Sequence, residues 1–133
     1  MATITEDYVS FETAKLLREK GFKEPTLAYA YGNDMVAYYS QPRVTDDFKV
    51  EAGRYPLPTL QMAMKWLRIK HNLYVTPVLA SSGKYGRWEA DIYYCDGEYS
   101  GINATRNACE HIFGETPEET CETALKYCLE NLI

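Results

Sequence analysis

Several things are scarce in this chain. No stretch approaches the roughly 18 consecutive apolar residues that a membrane-spanning helix needs. The start, MATITEDYVSFETAK, has no basic segment followed by an apolar run, so no secretory signal is expected and the protein is placed in the cytoplasm. Histidine is limited to His71 and His111, a thin supply for acid–base or metal work. No GxSxG, HExxH, Walker loop or GxGxxG occurs, and Ser81-Ser82-Gly83-Lys84 lacks the upstream glycine and following Ser/Thr of a phosphate loop. The cysteines, Cys95, Cys109, Cys121 and Cys128, include no CxxC pair, and a cytosolic compartment keeps them reduced. A zinc site would have to draw on Cys95, Cys109 and His111, a set without the paired short spacing of structural zinc modules. No metal and no cofactor are expected.

Acidic residues are also missing from one segment. Between Ala52 and Trp88 lie Arg54, Lys65, Arg68, Lys70, Lys84 and Arg87 and no carboxylate, whereas residues 89–133 carry two basic residues against ten acidic ones, and the whole chain has a net charge of −5. Segregation of this kind can put a cationic surface on an anionic body, which attracts anionic partners or the protein's own acidic end.

What is present describes a globular domain. With 133 residues, 46% of them hydrophobic and 25% charged, the chain can bury one real core and is too short for two well-packed ones, so residues 1–133 are expected to form a single domain. Twelve tyrosines add large amphipathic surface. Ser10 caps a helix over about 10–21 that Gly21 and Phe22 end. Residues 27–31 and 35–39 flank Gly32-Asn33-Asp34 as a hairpin. Residues 41–57, with Pro42, Gly53 and Pro56, are expected to form a surface loop.

A second helix is expected from about Pro58 to Asn72. Its Gln61, Lys65, Arg68 and Asn72 share one narrow stripe, and most of the remaining circumference is apolar. Residues 73–79 and 87–95 form a second hairpin, in which Pro77 assigns the first strand to an edge or a bulge. The later strand alternates, with Trp88, Ala90, Ile92 and Tyr94 on one face and Arg87, Glu89, Asp91 and Tyr93 on the other. Thr116-Pro117-Glu118-Glu119 starts a last helix with an apolar stripe of Cys121, Ala124, Leu125, Cys128 and Leu132. Residues 96–115 give no assignable pattern. The expected fold class is α+β: an antiparallel sheet of about four strands, two hairpins, packed with three helices in the order α-ββ-α-ββ-α.

Glu89 and Asp91, at alternate positions of one strand, are the best carboxylate pair for acid–base chemistry, although solvated alternate charges on an exposed strand, paired with Arg87, are far commoner. Lys65, Arg68, Lys84 and Arg87 with Tyr85 combine cations with a stacking ring, as nucleic-acid binding requires; the pI near 5.0 counts against it.

Residues 10–22, residues 58–68 and residues 118–133 together resemble an uncharacterised family of small acidic proteins from gut Bacteroidetes and their phages or prophages. The resemblance implies a bacterial cytoplasm and a mobile-element setting, and it implies no activity and no site residues. The sequence therefore points to a non-enzymatic protein-interaction protein, accessory or host-modulating, whose partner is another protein or a second copy of itself. The expected partner-binding residues are Met62 and Trp66 at the interface, Lys65 and Arg68 at its rim, and Lys84 and Arg87. A nucleic-acid-binding accessory protein and an enzyme of unrecognised type are the alternatives.

Overall fold

The structure, a computed structural model, describes residues 7–32, 35–80, 87–95 and 105–133, with the side chains of Cys95 and of residues 105–111 outside that description. Its internal contacts divide the chain into two compact units, Met1–Ala63 and Met64–Ile133.

The first unit contains α1 (Phe11–Glu19), β1 (Thr26–Ala30), β2 (Val36–Arg43), α2 (Asp47–Glu51) and β3 (Tyr55–Leu57). Ser10 Oγ accepts from the Thr13 N–H, so the cap expected from sequence starts α1. At the other end the Phe22 N–H donates to the Leu17 carbonyl and the Gly21 N–H to that of Arg18, a paired turn that needs the positive φ of 100° found at Gly21. The chain then enters an antiparallel sheet of order β2-β1-β3. Along β1, Thr26, Ala28 and Ala30 are buried while Leu27 and Tyr29 are not, the period-two signature of a sheet covered on one face. Helix α1 packs against β3 and buries Thr13, Ala14 and Leu17.

Helix α3 (Leu60–His71) follows, with Thr59 Oγ1 accepting from the Met62 N–H as its cap. Asn72, at φ 54°, ends it; asparagine is one of the few residues with a side chain that tolerate this conformation. The second unit continues with β4 (Leu73–Leu79), β5 (Trp88–Cys95), β6 (Thr105–Gly114) and α4 (Pro117–Asn131). Its sheet has the order β4-β5-β6, so Pro77 does lie on an edge strand. Helix α4 packs across all three strands, burying Thr120, Cys121, Ala124, Leu125, Cys128 and Leu129. Leu129 takes the core position expected for Leu132, which is half-buried. Each leucine withdrawn completely from water contributes about 1.5–3 kcal/mol, so this stripe is a large part of what holds the unit together.

The expected fold class needs correction. The α+β class holds, but among the described residues there are four helices and two three-stranded antiparallel sheets, six strands in all, in place of about four strands and three helices. The additional strand of the first sheet and the additional helix come from residues 41–57, expected as a loop. Pro56 can occupy β3 because β3 is an edge strand that pairs only with β1. Five-residue α2 is too short for any periodic signal, and its one local mark is Asp46, whose carboxylate accepts from the Lys49 N–H. Strand β6 comes from the segment that gave no pattern. The two sheets also differ in strand order, which counts against an internal duplication.

Candidate functional site

On the face of the first sheet opposite Ala28 and Ala30 lie Leu27 and Tyr31, both exposed, and half-buried Tyr29. Tyr29 stands opposite Ala37 on β2 and the fully buried Pro56 on β3. The Tyr39 ring lies 4.9 Å from that of Tyr29 and the Tyr31 ring 6.1 Å on its other flank, centroid to centroid, both tilted by 35°. The three rings form one aromatic strip.

Three cations are laid on this strip. Lys49 Nζ is 5.1 Å and Arg43 Cζ 5.8 Å from the Tyr39 centroid, and Arg54 Cζ is 5.7 Å from that of Tyr29. Each such contact is worth about 0.5–1 kcal/mol at an exposed site. Their larger consequence is to bias these long side chains toward the rings before any partner arrives. Arg43 and Arg54 are exposed and Lys49 is half-buried; Leu27 and Tyr31 are also exposed. Among the described residues none of the three cations is in an ion pair. Asp46 and Glu51 lie nearby on the same short segment, so the positive character of the strip is local.

The positions of these cations follow from local structure. Asp47 is ion-paired with Arg18, whose side chain is 7% exposed and also donates to the Phe22 carbonyl, and this ties α2 to the end of α1. After α2 the Gly53 N–H donates to the Val50 carbonyl and the Arg54 N–H to that of Lys49, a reversal that Gly53 permits at φ 88°. Arg54 is thereby brought back beside Lys49. Tyr39 Oη meets the buried Thr45 Oγ1 at 3.4 Å, which fixes the far end of its ring.

The residues expected to bind a partner are placed differently. Trp66 is 5% exposed, with its ring edge against His71 at 4.9 Å, and Met62 is half-buried. Lys65 is exposed, Arg68 is half-buried, Arg87 is exposed, and Lys84 lies outside the described residues, as does Tyr85. The broad apolar arc of α3 resolves into buried Leu60, Ala63, Trp66 and Leu67, half-buried Met62 and Met64, and Ile69, which is 64% exposed. Burial lowers the His71 pKa below its ordinary value.

Glu89 and Asp91 are half-buried on the second sheet, opposite Val78 and Thr76, and Asp91 Oδ2 accepts from Tyr93 Oη at 3.4 Å. The side chains of Cys95, Cys109 and His111, the set weighed for zinc, lie outside the described residues. Cys121 and Cys128 are buried; burial first, and then the Glu118 carboxylate, push the Cys121 thiol up to about 11. Among the described residues no three His, Cys, Asp or Glu side chains are grouped to hold a metal ion, and no helix is long and apolar enough to cross a membrane.

No family model, curated protein or solved structure matches the chain.

The tyrosine strip was not found from sequence, although part of its signal was there. Tyr29 and Tyr31 sit at alternate positions of an expected strand, which places both on one face. Arg43 and Lys49 were hidden because a linear charge count sees them among Asp46, Asp47 and Glu51, and only folding aims the two signs in different directions.

Proposed function

We infer that the chain is a non-enzymatic protein-binding module of the bacterial cytoplasm, in the phage or prophage setting implied by the resemblance of its helices, and that its working surface is the Tyr29–Tyr31–Tyr39 strip with Arg43, Lys49 and Arg54. The observation that carries the reading is that three cations lie over the half-buried rings of Tyr29 and Tyr39, beside exposed Leu27 and Tyr31, with no carboxylate of the described residues paired to them. Tyrosine and arginine are the residue types that concentrate binding energy at protein interfaces, and prior immobilisation lowers the entropy lost on docking. The matching partner is an acidic protein segment with apolar or aromatic neighbours.

The same surface suits single-stranded nucleic acid less well. Tyr39 and Tyr29 already carry the protein's own cations against their rings, where a base would have to stack. Three cations on a body of net charge −5 also release few counterions.

The test is binding of the labelled protein to an array of acidic, aromatic-containing peptides, with labelled oligo(dT) measured in parallel at low and high salt. Binding to acidic peptides that weakens in Arg43→Ala with Arg54→Ala supports the reading. Unchanged binding in that variant, with loss in Lys65→Glu with Arg68→Glu, moves the surface to α3. Tighter, steeply salt-dependent binding of oligo(dT) replaces the reading with nucleic-acid recognition.

A further inference from the structure

The start of α4 matches the tyrosine–cation strip in sign and number. Residues 115–122 hold Glu115, Glu118, Glu119 and Glu122 and no basic residue. Their three- and four-residue spacing gathers them on one side as the chain enters the helix. Glu115, Glu118 and Glu119 are exposed, and none of these three is ion-paired among the described residues. They sit on a well-fixed element: Thr116 Oγ1 accepts from the Glu119 N–H at 3.1 Å, and Pro117 fills the first turn. Three exposed carboxylates on a well-fixed backbone therefore stand on one part of the chain, and three cations over tyrosine rings on another.

We propose that a second copy of this chain is the partner, seating the acidic start of its α4 on the Tyr29–Tyr31–Tyr39 strip so that Glu115, Glu118 and Glu119 meet Arg43, Lys49 and Arg54. This rests on the reading of the strip as a protein-binding surface and gives that surface an occupant. Charge complementarity selects the occupant, and Leu27 and Tyr31, both exposed, supply apolar area around the charged centre. Each copy carries one strip and one α4 start, so the contact either pairs reciprocally in a two-fold dimer or runs head to tail into a ring or a short chain of copies. A three-stranded face about 14 Å wide and five residues, about 17 Å, long offers only about 240 Å² per copy, well under the roughly 800 Å² each partner gives to a standard interface, so the association is weak and concentration-dependent.

Sedimentation velocity of the full chain between about 5 µM and about 1 mM tests this range. Wild type is expected to shift to larger species with concentration at low salt and to lose at least about tenfold in association at high salt. Arg43→Glu with Arg54→Glu, and separately Glu118→Lys with Glu119→Lys, should each stay monomeric, and an equimolar mixture of the two should associate again because the reversed strip of one fits the reversed helix start of the other. Glu118→Gln with Glu119→Gln, which adds no cation at the helix N-terminus, guards against a folding defect, and circular dichroism checks every variant. A wild type that stays monomeric throughout, or a mixture that fails to associate, overturns the proposal. If the strip variant nevertheless loses its acidic peptides, the protein-binding reading stands and only this occupant is wrong; if it loses nothing, both fall.

Discussion

Replacing Gly114 by alanine should loosen the second unit where β6 hands over to α4. Gly114 ends β6 opposite Trp88, and a Cβ placed there would lie 2.3 Å from Thr120 Oγ1 and 3.2 Å from both Cα and Cβ of Thr120. Thr120 is fully buried, and its hydroxyl donates to the Thr116 carbonyl at 2.6 Å. Rotating that side chain away would break the bond and would leave the backbone contact unchanged, so the strand end and the first turn of α4 must separate by a few tenths of an ångström. Overpacking of this kind costs about 1–3 kcal/mol. The smaller conformational freedom of alanine in the unfolded chain returns about 0.4–1 kcal/mol, so the net destabilisation is about 1–2 kcal/mol. For a chain of this size that lowers Tm by about 4–8 °C. Urea melts of Gly114→Ala, Thr120→Ala and the double variant give the coupling directly: without the hydroxyl the worst contact disappears, and the cost of Gly114→Ala should shrink by about 1 kcal/mol or more. A Gly114→Ala protein as stable as wild type, or an equal loss with and without the Thr120 hydroxyl, would refute the close approach of β6 and α4.

Other tests address the core and its titratable groups. Trp66→Ala should cost about 3–5 kcal/mol in urea unfolding because the ring is buried, while Ile69→Ser, in the same helix but largely exposed, should cost under about 0.5 kcal/mol; similar losses at both sites would contradict the observed burial of α3. Cys121, raised to about 11 by burial and by Glu118, holds its proton in the folded state over a range where the unfolded thiol, near about 8.5, has lost it. Stability should therefore fall as pH rises through that window, and mass-spectrometric alkylation at pH 8 should leave Cys121 unmodified until denaturant is added. His71 is shifted the other way, so below about 6.5 the unfolded chain binds the extra proton more readily and stability should fall on acidification. His71→Gln should remove that part of the pH slope, and an unchanged slope between pH 7 and pH 5 would show that other groups carry it.

The sequence by itself determined the elements whose signals are local. Ser10, Gly21 and the Thr116-Pro117 start mark helix ends through hydrogen bonds within a few residues, and the alternation from Trp88 to Tyr94 needs only the period of a strand. The α+β class follows from those elements. Tertiary structure decided what depends on partners distant in sequence. Residues Tyr55–Leu57 become a strand only because β1 offers them an edge, and a proline within them reads as a breaker until that edge is known. The candidate surface belongs to the same class. Tyr29 and Tyr39 meet through the pairing of β1 with β2, Lys49 reaches them because Arg18 anchors Asp47 from another helix, and Arg54 returns through a turn that follows α2. Charge counted along the chain averages these cations with the carboxylates between them. Charge distributed over the folded surface separates them, because side-chain direction is set by strand pairing and helix capping, and neither appears in a linear count.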